Sequence, residues 1–358
     1  MTLLSRYDWK ELRDFCIKLF KKRGVNDENA SIIADALIEA DLRGVYSHGI
    51  VRTAIYLKRI EEGMVDPSSC IEIINDNEIT TLIDGNNNLG AVVGKQALNL
   101  ALKKSDKKGA AIVGVKGSNH FGTGAFYAAK SISQDKILLV MSNASQTMPP
   151  TGGIRPFIGT NPLSIGVPTD KEIPFILDMA TSVVARGKII VASQKNEEIP
   201  LGWAVDRHGK PTTDPNEALE GSVLPMGGPK GYAISMMIDI LSGVLTGAGF
   251  GKHINNMYEN WGQPQNVGHF FIVIDIKQFI PIEEFKQRMD QYIRDIKSEP
   301  KAEGVKEILI PGEIEYKKSE EQKKYGIELP DSVVEELKDL SQKYGVEFVS
   351  KKVTSSIK

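Results

Sequence analysis

The sequence contains little cysteine and almost no net charge. Cys16 and Cys70 are the only cysteines among 358 residues, too few for a disulfide framework and at no metal-ligand spacing. The 44 basic and 46 acidic residues give a formal charge of −2. Because a polyanion is bound by an excess of cations, nucleic acid is excluded as a partner. These features predict a globular protein of a reducing cytosol, with two inert, buried thiols.

No segment is typical of export or of membrane insertion. Residues 1–15 lack the basic start and the uninterrupted apolar run of a signal peptide. The longest apolar stretch, residues 231–251, carries Asp239 and ends in several glycines, so we interpret it as a buried core helix. We therefore expect a cytoplasmic protein without a membrane partner.

Four common motifs of catalysis or phosphate binding are also missing. No G-x-G-x-x-G follows a strand-like segment, and the patterns G-x-x-x-x-G-K-[ST], G-x-S-x-G and H-E-x-x-H do not occur. Ordinary Rossmann dehydrogenases, P-loop NTPases, α/β-hydrolases and zincins therefore have no support in this sequence.

The spacing of apolar residues in the first sixty positions predicts three helices. Their predicted caps and ends are Asp8 and Gly24, Asn26 and Gly44, and Ser47 and Gly63. Side chains of Ser, Asp and Asn accept hydrogen bonds from the first N–H groups of a helix, and glycine commonly ends one.

From residue 71 onward strand-like and helix-like segments alternate, which predicts an α/β fold. The predicted elements are a hairpin at 71–85, a helix at 92–104, strands at 110–115 and 137–142 around a helix, strands at 162–168 and 175–180, a helix at 231–245, a strand at 269–276, a helix at 282–296, a strand at 306–310 and a last helix capped by Asp331. We interpret 110–142 as a parallel βαβ crossover.

The chain has no repeat and no linker-like segment, so we expect one catalytic unit. Its predicted parts are a helical N-terminal part at 1–70, an α/β core at 71–290 that binds cofactor and substrate, and a helical C-terminal part at 291–358 that packs on the N-terminal part.

His48 and Arg52 form the first candidate site. They lie four residues apart, on one face of the predicted third helix, and Ser47 precedes them. A helix N-terminus and a guanidinium both favour a carboxylate. The residues support equally a substrate-binding role and a structural role, in which Ser47 only caps and the other two bind carbonyl groups.

His120 forms the second candidate site. It follows the predicted strand 110–115 within a glycine-rich segment, GSNHFGTG, and ligands of parallel α/β sheets collect where strands end. An imidazole titrates near neutrality and exchanges protons with hydroxyl or carbonyl groups. We therefore favour a catalytic role for His120 over a structural one.

Two further segments are candidates for phosphate binding. Residues 178–182 end a predicted strand and are followed by Arg186, and Lys230 lies where glycines open the long apolar helix. A zinc site built from His48, His120 and His269 is also conceivable, although no pair of these residues has ligand spacing. We expect no resident metal.

Six segments together resemble the malate/L-lactate dehydrogenase family, which is unrelated to the Rossmann lactate and malate dehydrogenases. They are YSHGIVR at 46–52, GSNHFGTGAF at 117–126, PTGGIRPFIGTNPLSIGVP at 150–168, LDMATSVVARGKI at 177–189, LPMGGPKGYAISMMIDILSGVLTG at 224–247 and PGEIE at 311–315. The segments occur in the family's order over nearly the whole chain.

The resemblance implies a non-Rossmann sheet that binds NAD or NADP, with a slight preference for NAD, in a homodimer. It implies hydride transfer between the nicotinamide and a small 2-hydroxy or 2-oxo acid of the malate, lactate, sulfolactate or ureidoglycolate type. His120 would be the general acid/base, assisted by His48, and Ser47 and Arg52 would bind the substrate. The residues implied in cofactor binding are Ser142, Asn143, Asp178, Met179, Ala180, Thr181, Arg186 and Lys230.

Two other classes of function stay open from the residues alone. One is a metal-dependent hydrolase that uses His48 and His120 as ligands. The other is a non-catalytic protein that binds a carboxylate beside Arg52 and no cofactor.

Overall fold

A seven-stranded sheet lies at the centre of the computed structural model, which describes residues 5–349. The strands of this part of the chain are β1 Ser5–Tyr7, β2 Glu72–Asp76, β3 Thr80–Asp84, β4 Ala110–Ser118, β5 Lys136–Ser142, β6 Leu163–Val167, β7 Phe175–Met179, β8 Ala204–Val205, β9 Pro211–Thr212, β10 Ser222–Val223, β11 Val267–Asp275 and β12 Ile327–Leu329. Its α-helices are α1 Trp9–Lys21, α2 Asp27–Leu42, α3 Thr53–Glu61, α4 Gly90–Lys108, α5 Gly124–Ile132, α6 Arg186–Lys195, α7 Pro215–Glu220, α8 Pro229–Asp239, α9 Ile282–Ser298, α10 Glu313–Tyr325 and α11 Asp331–Tyr344. The α/β prediction is confirmed.

The strand order in the central sheet is β2-β3-β4-β11-β5-β6-β7. Strands β3 and β4 pair in parallel with α4 between them. The predicted crossover from β4 through α5 to β5 joins strands of the same direction, as expected, but the two strands are not neighbours, because β11 inserts antiparallel between them. Strand β11 is apolar and buried over most of its length, so it is stable only between two neighbours.

Strands β4, β5 and β7 nevertheless run in the same direction. Strand β11 is antiparallel to both β4 and β5, and β6 is antiparallel to both β5 and β7. The carboxyl ends of β4, β5 and β7 therefore lie at one edge of the sheet, which is where the segments of the candidate site begin.

The first two helices have the predicted caps. The Asp8 carboxylate accepts from the N–H groups of Lys10 and Glu11, and Asn26 accepts from that of Asn29. The predicted start of the third helix at Ser47 is wrong. Residues 46–48 and 50–52 form two 3₁₀ turns, and α3 begins only at Thr53. The reason is Gly49, whose ψ of −149° interrupts the helical conformation.

The N- and C-terminal segments contact each other, since β1 pairs with β12. Helix α9 matches its prediction, but the strand predicted at 306–310 does not form. Asp331 is the first residue of α11 and follows the cap residue Pro330, and α10 was not predicted. Residues 1–4 and 350–358 of the predicted terminal parts lie outside the described residues, and the boundaries at 70 and 290 stay predictions.

Helix α8 is less buried than its apolar sequence predicts. It continues into a π-helical turn at Ile240–Val244, and five large apolar side chains of this segment are exposed. These residues, which we call the α8 face, are Met236, Met237, Ile240, Val244 and Leu245. Cys16 is buried as expected, whereas Cys70 is exposed. Within residues 5–349 no helix combines the length and the apolar character of a membrane span.

Candidate active site

His120 lies two residues beyond the end of β4 and is fixed from two sides. Its backbone N–H donates to Oε1 of Gln265 at 3.1 Å. On the other side its Nδ1 lies 2.6 Å from Oη of Tyr56, a buried residue of α3. These contacts hold the ring in one orientation and leave Nε2 as the ring nitrogen that remains for a ligand.

The ring of His48 lies beside that of His120, with 5.3 Å between the ring centroids. Ser47 Oγ lies 2.9 Å from Nδ1 of His48, and Arg52 donates through Nε to the carbonyl oxygen of Ser47 at 2.6 Å. The structure therefore brings Ser47, His48, Arg52 and His120 together, as the sequence predicted for a substrate site. Arg52 also lies over the ring of Tyr258, 5.6 Å from its centroid.

Burial and nearby cationic groups keep both imidazoles neutral. Burial, helped by the positive charge of Arg52, lowers the pKa of His48 to about 4. Burial also lowers the pKa of His120 well below its ordinary value, and His48 and Arg52 add to this effect. Burial raises the pKa of Tyr56 to about 12, so its hydroxyl keeps its proton. A neutral His120 held by a phenol is suited to accept a proton from a bound hydroxyl group.

Three residues of this site were not predicted. Tyr56 contacts the His120 ring, and Gln265 accepts from the His120 backbone N–H. Arg59 is fully buried and donates to the carbonyl oxygens of Met257 and Asn260 at 3.0 and 3.2 Å. Arg59 thereby holds the segment 257–260, whose Tyr258 lies beside Arg52. The sequence did contain a signal for Tyr56. It follows Arg52 by four positions and therefore lies on the same face of the predicted third helix.

The structure contradicts the zinc site of His48, His120 and His269. His269 is fully buried in β11, and both ring nitrogens are occupied, by Ser142 Oγ at 2.9 Å and by Ser118 Oγ at 2.8 Å. Burial lowers its pKa to about 3. No group of three or more histidine, cysteine or carboxylate side chains within 5–349 is arranged to hold a metal ion.

Ser142 ends β5 at the edge of the sheet that carries His120, and Asn143 follows it. Both side chains are buried, and both bind within the protein. Ser142 Oγ contacts His269, while the Asn143 amide donates to the carbonyl oxygen of Gly249 and accepts from the N–H of Gly268. Their described contacts join β5 to β11 and to the segment after α8, and contact with a cofactor stays a prediction.

The segment Asp178 to Ser182 ends β7 at the same edge. The Asp178 carboxylate accepts from the N–H of Ala125 at 2.9 Å and so caps α5. Thr181 is fully buried and its Oγ1 has no partner among the described residues. A backbone hydrogen bond from Met226 to the Thr181 carbonyl joins this segment to the loop before α8.

That loop leaves open space just before Lys230. Gly227 and Gly228 have φ values of +59° and +64°, and a Cβ on either glycine would meet no atom within 4 Å. Lys230 is exposed in the first turn of α8, which has no side-chain cap. Arg186 is also exposed, at the start of α6, and donates to the carbonyl oxygen of Leu219 at 3.0 Å.

These features fit a dinucleotide. An uncapped helix N-terminus with free N–H groups, an exposed lysine and open space at two glycines can accept a diphosphate. The buried and unpartnered Thr181 hydroxyl lies in the segment joined to this loop. Most of the predicted cofactor residues therefore lie near one edge of the sheet, next to the loop that carries His120.

Comparisons with known proteins agree with this arrangement. The family model for malate/L-lactate dehydrogenase matches residues 7–338. A malate/(S)-sulfolactate dehydrogenase of Methanothermus fervidus is 42% identical over 95% of this chain and 98% of its own length.

Solved structures give the same result. A sulfolactate dehydrogenase from Methanocaldococcus jannaschii superimposes with a TM-score of 0.90 at 39% identity, covering 96% of this chain and 98% of that one. The malate dehydrogenase of Pyrococcus horikoshii OT3 gives a TM-score of 0.89 at 40% identity, covering 97% and 98%. This chain therefore belongs to the malate/L-lactate dehydrogenase family, and it is a dehydrogenase.

Proposed function

We propose that this dehydrogenase transfers hydride between NAD or NADP and a small 2-hydroxy or 2-oxo acid, with His120 as the general acid/base. The observation that carries the proposal is the grouping of a neutral His120, held by Tyr56, with His48 and Arg52. The acid is of the malate, lactate, sulfolactate or ureidoglycolate type, and NAD is slightly preferred.

Arg52 and its neighbours bind the carboxylate of the acid. A guanidinium binds a carboxylate through two parallel hydrogen bonds, and partial burial strengthens the pairing. Only Nε of Arg52 is used within the described residues, for the Ser47 carbonyl. The Nη groups therefore serve the substrate, while His48 and Ser47 orient it beside His120.

His120 moves the proton. A bound oxidised nicotinamide supplies the hydride acceptor. In the oxidation of a 2-hydroxy acid, Nε2 of neutral His120 takes the hydroxyl proton as the C–H bond of the substrate breaks. Because Nε2 is the base, Nδ1 carries a hydrogen both before and after this step and donates it to Oη of Tyr56 in both states. In reduction the imidazolium returns the same proton to the carbonyl oxygen.

The dinucleotide is proposed to lie along the carboxyl edge of β5 and β7. Asp178, Met179, Ala180 and Thr181 form one wall, and the uncapped first turn of α8 with Lys230 forms the other. The open space at Gly227 and Gly228 supports a diphosphate at that point.

A reduction assay tests the proposal. Oxaloacetate, pyruvate, sulfopyruvate and cyclic imino acids are each mixed with the protein and with NADH or NADPH, and the absorbance of the reduced nicotinamide is followed. We expect a decrease with at least one 2-oxo acid. No turnover of any acid with either coenzyme would overturn the proposal.

We also propose that the protein acts as a homodimer that buries the α8 face. Its five apolar residues recur at helical spacing and are between 43% and 62% exposed. Contiguous exposed apolar surface of this kind marks protein interfaces. The cytoplasmic location stays a prediction.

A further inference from the structure

Asp41 has a buried carboxyl group close to the substrate-binding segment. It lies in the last turn of α2 and is 1% exposed. Its Oδ2 accepts from the backbone N–H of Ile50 at 2.7 Å. No salt bridge of Asp41 is formed within residues 5–349, so the bond to Ile50 is its main polar contact.

The carboxylate also lies directly against Gly49. A Cβ at position 49 would be 1.7 Å from Oδ1 of Asp41, which is far inside van der Waals contact. The backbone conformation of Gly49 has negative φ, so the need for glycine comes from this contact and not from backbone strain. Position 49 therefore accepts only glycine while the Asp41 side chain occupies this space.

Gly49 separates the two 3₁₀ turns that carry the substrate-binding side chains, and Ile50 begins the second of them. The turn at Tyr46–His48 carries Ser47 and His48, and the turn at Ile50–Arg52 carries Arg52. The hydrogen bond from Ile50 to Asp41 is thus made at the junction between them. A shift of this junction changes the distance between His48 and Arg52.

A second contact holds the same region. Gln322 of α10 is fully buried, and its Nε2 donates to the carbonyl oxygens of Asp41 and Leu42 at 2.7 and 3.1 Å. The end of α2 is therefore held in place by Gln322. Through its hydrogen bond with Ile50, Asp41 holds the junction in a fixed position relative to α2.

Asp41 supplies a hydrogen-bond acceptor rather than a charge. Burial, offset only by the Ile50 N–H, raises the pKa of its carboxyl group to about 8. A neutral acceptor of the same shape is therefore expected to replace it.

We propose that Asp41 is a positioning residue for substrate binding: by accepting from Ile50 and packing on Gly49, it sets the separation of His48 and Arg52. This inference rests on the proposed function, in which these two residues bind the 2-oxo acid.

Four variants test it, with Asp35→Asn as the control because Asp35 lies on the same helix and pairs with Arg13. Asp41→Asn keeps the acceptor, Asp41→Ala removes it, Gly49→Ala forces the carboxylate away, and Asp41→Ala with Gly49→Ala refills the space without an acceptor. We expect KM for the 2-oxo acid to rise at least about tenfold in the last three, since a buried N–H loses its partner or is displaced. Asp41→Asn and Asp35→Asn should stay within about twofold of wild type, and the Kd for the reduced coenzyme should not change.

Two results would overturn the proposal. Equal losses in Asp41→Asn and Asp41→Ala would show that the charge matters and not the acceptor. Recovery of KM in the double variant would show that Asp41 only fills space.

Amide hydrogen exchange over residues 46–52 separates failure of this inference from failure of the proposed function. Faster exchange is expected in Asp41→Ala and not in Asp41→Asn, whether or not a 2-oxo acid is turned over. Unchanged exchange in Asp41→Ala would contradict the positioning role by itself.

Discussion

The Oη atom of Tyr56 lies 2.6 Å from Nδ1 of His120 and joins helix α3 to the loop after β4. The same helix follows directly on the turn that carries Arg52. Arg52, which we propose to bind the carboxylate, and Tyr56, which contacts the His120 ring, therefore lie on consecutive turns of the chain. In the proposed function, this arrangement couples substrate binding to the orientation of His120.

Replacement of Tyr56 by phenylalanine removes the partner of Nδ1 and keeps the packing of the ring. We expect kcat/KM to fall about tenfold to a hundredfold, because a hydrogen bond to a group that becomes charged contributes about 1.5–3 kcal/mol. Steady-state kinetics measure the loss. Tyr344→Phe, which removes a hydroxyl bound to Glu61, serves as the control, and equal rates for both variants would contradict the role of Tyr56.

The pH dependence of oxidation reports the lowered pKa of His120. The base in this direction is the neutral ring, which exists above its pKa, and burial with nearby His48 and Arg52 lowers that pKa. We expect kcat/KM for the 2-hydroxy acid to stay constant as the pH falls through about 6.5, the ordinary histidine value, and to decline only at lower pH. Half-loss of kcat/KM at about pH 6.5 or above would contradict a buried, neutral His120.

Substitution of Arg52 separates charge from geometry in substrate binding. Arg52→Met is expected to raise KM for the 2-oxo acid about a hundredfold, and Arg52→Lys about tenfold, because lysine keeps the charge but lacks the planar fork. Arg13→Lys, at a partly exposed ion pair with Asp35, is the control. A KM for Arg52→Met that equals the wild-type value would place the carboxylate elsewhere.

A charge on the α8 face is expected to dissociate the homodimer. Leu245 is 62% exposed in the single chain, and burial of an unpaired lysine in an interface is costly. We expect Leu245→Lys to run as a monomer in size-exclusion chromatography with light scattering. Phe279→Lys, at a 76% exposed residue outside this face, should leave the dimer intact. Identical masses for the two variants would contradict this interface.

The parts of the fold that depend on neighbouring residues were predictable. The caps at Asp8 and Asn26 act over two or three positions, and the structure has both. The insertion of β11 between β4 and β5 was not predictable, because it depends on contacts such as that of Ser118 with His269, 151 positions apart. No local pattern encodes such a pairing.

The residues of the candidate site were likewise predictable only where the signal lies in neighbouring positions of the sequence. His48, Arg52 and His120 were recognisable from their own segments. Tyr56 was missed because its role arises from a contact with a residue 64 positions away. The start of α3 was wrongly placed at Ser47 because the interruption at Gly49 depends on Asp41, which the local cap pattern does not include.

The central claim is that His120 exchanges the proton in a hydride transfer between a nicotinamide and a 2-oxo acid. The most direct measurement compares kcat/KM of wild type, His120→Ala and His208→Ala, with the best 2-oxo acid and coenzyme from the reduction assay. His208 is exposed and outside the site. The account predicts a loss of about 10²–10⁴ in His120→Ala, as for removal of a general acid, and none in His208→Ala. A His120→Ala rate close to that of wild type would contradict it.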